Sequence, residues 1–260
     1  SDIAQILSLG ITKIKVYKKP IVGLFSTGDE IAKLYTKKKK FQIYDVNKYL
    51  LISLFSKVGC EVIDLGIIED DLEKTKKLIL KSKKYDLLVT SGGISKSSTD
   101  NVSKIMLTYG DLLFWRIKIK PGRPFAFGKI KGSFFIGFPG NPVAAVVTFL
   151  MLVTTFIKKL SGNVNYRNEP DYLKCDFSMK KKKNRVEWLR GNFISKNKKK
   201  IVRKFHTTGS GIISSLSKSN GIIQIDEEVE KINRGNILKF YRYQDLLNWG
   251  FYILQKSPKN

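Results

Sequence analysis

The segment Lys118-Ile119-Lys120-Pro121-Gly122-Arg123-Pro124 mounts two cationic side chains, Lys120 and Arg123, on a backbone restricted by two prolines. A stiff mount for two positive groups suits capture of a phosphate or another oxyanion. Arg offers a planar fork of donors there, and Lys a compact charge. Three glycine turns could add neutral donors: Ser26-Thr27-Gly28-Asp29-Glu30, Ser91-Gly92-Gly93-Ile94-Ser95 and Gly137-Phe138-Pro139-Gly140-Asn141-Pro142. Glycine tolerates positive φ and lets a ligand approach the main chain closely. Asn141 as an N-cap, with Pro142 in the first helical position, would aim free N–H groups at an anion. Each turn taken singly is equally well explained as the chemistry of ending a strand. Their combination is what points to a site. Asp29, Glu30, Asp70, Asp71 and Asp100 punctuate the same region, and Mg²⁺ binds through one or two such carboxylates plus substrate oxygens.

Other chemistries are poorly supplied. The chain has two cysteines, Cys60 and Cys175, and one histidine, His206, which is too few for a Cys/His zinc site. His206 falls away from the glycine turns, so no Ser-His-Asp arrangement competes, and a structural or exposed role is expected for it. Sparse cysteine fits a reducing, cytoplasmic setting. The net charge is +26, yet eight of the 48 basic residues are Arg and the remaining 40 are Lys. The lysines gather in runs (37–40, 180–183, 198–200) without interleaved aromatics. Sequence-reading nucleic-acid sites lean on Arg forks and stacking rings, whereas Lys runs give only salt-sensitive attraction. No specific nucleic-acid partner is expected. No secretory segment is legible at the start. The apolar tract from Val143 to Ile157 is short for a bilayer span and follows a helix-start signal, which predicts a buried core helix and no membrane crossing.

The elements that must position these groups follow from periodicity. Ile21-Val22-Gly23-Leu24-Phe25 and Asp86-Leu87-Leu88-Val89-Thr90 are continuous apolar runs, as expected of strands buried on both faces of a parallel sheet. Further strands are predicted over Cys60–Ile68, Phe114–Ile119 and Ser133–Phe138. Helices are predicted after Asp45, after Asp70-Asp71, over Asn101–Tyr109 and over Asn141–Leu160. This alternation predicts a three-layer α/β domain over 20–162 with a doubly wound, mostly parallel sheet. Residues 1–19 read as the remnant of an upstream domain or linker. After a Gly/Asn/Ser-rich stretch, short strands near Leu173–Phe177, Ile201–Phe205, Gly221–Ile225 and Asn236–Tyr243 predict a small all-β, barrel-like domain over 170–260. In such a sheet, ligands gather beyond the C-terminal strand ends, where the glycine turns lie.

Taken in order, Leu24-Phe25-Ser26-Thr27-Gly28-Asp29-Glu30, Ile43-Tyr44-Asp45-Val46-Asn47, Ser91-Gly92-Gly93-Ile94-Ser95, Lys120 through Gly128 and Gly137 through Val143 resemble the molybdopterin molybdenumtransferase (MoeA/gephyrin) family. Arg185-Val186-Glu187-Trp188-Leu189-Arg190-Gly191, Gly209-Ser210-Gly211 and Ser219-Asn220-Gly221 extend the match more loosely, so that it covers nearly the whole chain. The resemblance implies insertion of molybdate into adenylylated molybdopterin, with Mg²⁺, and release of AMP. By that likeness Glu30, Asp70 and Asp100 are the acidic residues near metal, pyrophosphate or molybdate. Lys120 and Arg123 are the basic pair for the oxyanion. Ser91-Gly92-Gly93 and Pro139-Gly140-Asn141-Pro142 line the pterin-nucleotide pocket, with Thr27, Gly28, Ser95 and Gly122 completing it. Two departures stand out. Ser98 occupies a position where the family carries glutamate, which replaces an anion by a hydroxyl. The family's N-terminal domains, which complete the site across a homodimer in relatives, are missing from this sequence, so the fragment is expected to be weakly active or inactive alone. Two other readings compete: a molybdopterin adenylyltransferase, which shares the α/β domain, and a non-catalytic anion-binding scaffold.

Overall fold

The computed structural model describes residues 2–94, 100–196, 199–206 and 211–248. The α/β layer is built on β1 (Ile21–Thr27), β2 (Glu61–Ile68), β3 (Leu87–Ser91), β4 (Asp111–Trp115), β6 (Ala126–Ile130) and β7 (Ser133–Phe138), in the order β2-β1-β3-β7-β6-β4. β2, β1, β3 and β7 run parallel. β6 is antiparallel to both β7 and β4, which makes the sheet mixed at one side.

Alternate residues of these strands feed two separate cores, the signature of a sheet covered on both faces. Val22, Leu24, Leu87, Val89, Ile136 and Phe138 pack against α1 (Val46–Lys57) and α4 (Pro142–Leu160). Phe25, Leu88 and Phe135 pack on the other side, against α2 (Leu72–Leu80) and α3 (Asn101–Tyr109). Each helix starts on a side-chain cap: Asp45 accepts from the Lys48 N–H, Asp71 from Lys74, Asp100 from Ser103 and Asn141 from Ala144. α4 contains one π turn, Phe149–Val153, where the Thr148 and Thr154 hydroxyls return to carbonyls of the preceding turn. It is long and apolar enough to cross a bilayer, but 72% of its most apolar window is buried inside the fold.

The second layer is a closed barrel of five strands: β8 (Asp171–Cys175), β9 (Val186–Lys196), β10 (Lys199–Lys204), β11 (Gly221–Ile225) and β12 (Ile237–Arg242). β9 pairs with both β10 and β11, β11 with β12, β12 with β8, and β8 returns to β10, so no strand edge is left open around the ring. Val202, Ile223 and Phe240, all inaccessible to solvent, belong to its core.

Three features depart from expectation. The strand predicted over Phe114–Ile119 is divided: Arg116 turns with φ +72°, and the chain leaves β4 to form the short β5 (Ile119–Lys120). β5 does not join its own sheet but pairs in parallel with β9 of the barrel, Lys120 opposite Glu187. β6 and the long β9 are strands that periodicity alone missed.

Candidate functional site

The C-terminal ends of β1, β3 and β7 lie side by side, so the three glycine turns that follow them share one rim. The Gly92 N–H donates to Phe138 O at 3.3 Å, tying the β3 turn to the end of β7. Gly93 has φ +66°, and a Cβ there would lie 2.5 Å from Thr27 Cγ2 and 2.9 Å from Val102 Cγ2. Its lack of a side chain is therefore required by backbone geometry and by close contact with the β1 turn. Asn47, on the first turn of α1, donates from Nδ2 to Gly140 O at 2.9 Å and shapes the β7 turn from below. Asn141 Oδ1 caps α4 through the Ala144 N–H at 3.1 Å, with Pro142 as the first helical residue. Thr27, Gly28, Ser91, Gly92, Gly93, Pro139, Gly140, Asn141 and Pro142 are thus gathered on one edge of the sheet. Ser95 and Ser98 lie outside the described residues.

Lys120, Gly122 and Arg123 reach the same region by way of β5. Gly122 (φ +100°) packs so closely on α4 that a Cβ would collide with the Thr148 methyl. The loop borders a cleft of about 920 Å³ between the α/β layer and the barrel, shared with Pro139, Gly140 and Asn141. The barrel contributes further cations to its lining: Lys180, Lys181, Lys182, Arg185, Arg190 and Lys204. Glu187 is the one acidic side chain among its described lining residues. Arg190 is buried, donates from Nε to Ser215 Oγ at 3.0 Å, and has its guanidinium pKa pushed down by that burial. Such a concentration of positive charge in a concave surface attracts and orients a small polyanion.

The carboxylates are held by local contacts. Glu30 folds its carboxylate over Gly28, where a Cβ would lie 2.5 Å from Oε2. Asp29 accepts from the Asp70 N–H at 3.2 Å, and Asp70 accepts from Asn101 Nδ2 at 3.0 Å. With Asp71 and Lys74, Asp29 and Asp70 border a second hollow of about 760 Å³. Asp100 is 7% exposed, and its Oδ1 caps α3 through the Ser103 N–H at 3.1 Å. Among the described residues no three His, Cys, Asp or Glu side chains could hold one metal ion. Glu30, Asp70 and Asp100 do not converge as one three-carboxylate cluster: Asp100 caps a helix and Asp70 holds the Asn101 side chain.

Sequence reading overlooked Asn47, Arg185 and Glu187 as site residues. All three sit inside motifs that marked the resemblance, but nothing local in the sequence shows that Asn47 reaches the β7 turn. Nor does it show that β9 lies beside Lys120. His206 is exposed, with its ring 4.3 Å from that of Phe205, and is not among the described residues that line the cleft.

Residues 23–159 match the family described as Probable molybdopterin binding domain, and residues 172–243 match the MoeA C-terminal region (domain IV). The molybdopterin molybdenumtransferase of Haemophilus influenzae is 37% identical over 243 residues, covering 92% of this chain and 60% of that protein. That of Nostoc is 34% identical over 167 residues, covering 62% of this chain and 38% of that protein. The crystal structure of the molybdopterin biosynthesis MoeA protein of Pyrococcus horikoshii superposes with a TM-score of 0.76 at 28% identity, covering 92% of this chain and 58% of that one. The chain thus spans about three fifths or less of the length of these relatives. With a molybdopterin-binding α/β layer carrying its glycine turns and Lys/Arg loop, joined to the domain IV barrel, the chain belongs to the molybdopterin molybdenumtransferase family.

Proposed function

We propose that the protein to which this chain belongs inserts molybdate into adenylylated molybdopterin and releases AMP. The observation that carries this reading is the cation-lined cleft that opens beside the β7 turn, in a chain of this family. Molybdate is a dianion and the nucleotide substrate carries a phosphoanhydride, so both need positive charge and N–H donors that do not have to reorganise. Lys120 and Arg123 supply charge from the α/β side, and Arg185 supplies it from the barrel. The Gly140-Asn141 turn, which borders the cleft, supplies main-chain donors, and the Gly92-Gly93 turn on the same rim permits the close approach a phosphate requires. When the phosphoanhydride breaks, negative charge grows on the departing AMP phosphate, and the same cations stabilise it more than they stabilise the bound substrate. A homodimer of the full-length protein, with further domains closing the cleft, accords with this reading. The barrel also argues against a single-domain adenylyltransferase.

The test is AMP release from adenylylated molybdopterin with molybdate, measured on the full-length protein. Lys120→Ala is expected to lower the rate by about 10²-fold or more, the scale of losing one preorganised electrostatic contact. Asp100→Asn keeps a competent helix cap and isolates the role of its charge, with loss of turnover expected and the fold retained. AMP release no faster than without protein would favour a non-catalytic anion-binding scaffold.

A further inference from the structure

Glu187 is 1% exposed inside a cleft built to attract anions. A carboxylate there opposes an anionic ligand and is costly to bury unless it is paired. It is paired on both oxygens. Oε1 accepts from Arg185 Nε at 3.0 Å and Nη2 at 2.6 Å, and Oε2 lies 3.7 Å from Lys120 Nζ. Lys120 comes from β5 and Arg185 immediately precedes β9, so one carboxylate joins cations from both layers, at the point where Lys120 stands opposite Glu187 in the strand pairing. The loop before Arg185 is fixed as well. Lys181 Nζ donates to the carbonyls of Lys182 at 3.1 Å, Arg185 at 2.8 Å and Glu227 at 3.2 Å. Lys120 and Arg185 nevertheless keep 50% and 30% of their side-chain surface open, which leaves donors for a ligand.

We propose that Glu187 is a positioning residue that presets Lys120 and Arg185 as a paired anion clamp. The proposal rests on the oxyanion reading of the cleft, and it predicts the opposite sign from simple electrostatics. Removing a negative charge beside an anion site should tighten binding if charge alone matters. If Glu187 positions the two cations, Glu187→Gln should weaken it, because two mobile cations must then be ordered by the ligand.

Molybdate itself serves as the probe, in calorimetric titration of the full-length protein. Glu187→Gln is expected to bind it about ten-fold more weakly, on the order of one misplaced charge-assisted hydrogen bond; equal or tighter binding would overturn the assignment. A second reading needs no ligand: solvent exchange of the Arg185 Nε–H, followed by ¹⁵N NMR, should be slow in the parent and fast in Glu187→Gln. Unchanged exchange would overturn it equally. Should the parent fail to bind molybdate while the exchange difference persists, the oxyanion reading falls and the positioning role stands. Where the amide variant does not fold, Glu187→Asp retains the charge on a shorter arm. Weaker binding and faster exchange than in the parent are expected of it, and parent values would sink the proposal.

Discussion

Lys158 shows what a single side chain contributes when the fold buries it outside the site. It is 2% exposed on α4, donates to the Tyr166 hydroxyl at 2.8 Å, and lies 3.9 Å from the centre of that ring. Burial lowers its pKa from 10.5 to about 8, partly opposed by the attraction of Asp245. Between pH 8 and 10.5 the unfolded chain holds a proton that the folded chain has released, so stability gains with rising pH across that window. Below pH 8 both states are protonated and the cost of the buried charge is fully present. Its slope is at most about 1.4 kcal/mol per pH unit. Lys158→Met is therefore expected to be more stable than the parent at pH 7, with the gap narrowing towards pH 10.5. Urea unfolding of both proteins at several pH values checks this, and a gap independent of pH would contradict it. Cys60 behaves as the complementary case: burial, with the Asp86 charge adding to it, raises its thiol to about 12, which keeps it inert rather than nucleophilic.

Among the elements, the turns after β1 and β3 depend on each other. Gly93→Ala would strain a backbone at φ +66° and press a methyl group onto Thr27 and Val102. A loss of about 2–4 kcal/mol is expected from the two effects together, read as a lower urea midpoint; a parent-like midpoint would mean that the turns do not touch. Such turns were legible because β1, β3 and β7 are covered on both faces and so appear as unbroken apolar runs ending in glycine. Lys120 and Arg123 were legible because prolines hold them within a few residues of each other. β6 was not, since Ala126 and Gly128 face inward where bulky residues would have marked a strand. β9 was hidden by its interior charges: Glu187 and Arg190 are buried on it, which breaks the alternation that reveals a strand. The spacing of the carboxylates places them near the strand ends, and hydrogen bonding gives some of them a local task as well, as where Asp100 Oδ1 caps α3.

For the whole molecule, the decisive feature is that the two layers are not merely tethered. β5 leaves the α/β layer to pair with β9, and a single apolar cluster draws on both: Ile119, Val143, Val147 and Leu150 from one side, Trp188 and Ile222 from the other. Trp188 is 5% exposed and donates from Nε1 to Gln224 at 3.0 Å, so its indole is held on both its apolar and its polar side. The cleft lies between these layers, and its cations come from both. If the layers could separate at low cost, Lys120 and Arg185 would part and the anion clamp would vanish, so the site requires a stiff junction. Either layer unfolding alone would expose that cluster to water at about 25 cal/mol per Å² of apolar surface. The two layers are accordingly expected to unfold as one cooperative unit despite their different architectures. Calorimetry should give one transition, and the slowest-exchanging amides of β3 and β11 should report the same opening free energy. Two resolved transitions, or protection in β11 well below that in β3, would mean that the junction is loose and that the cleft forms only when a ligand draws its walls together.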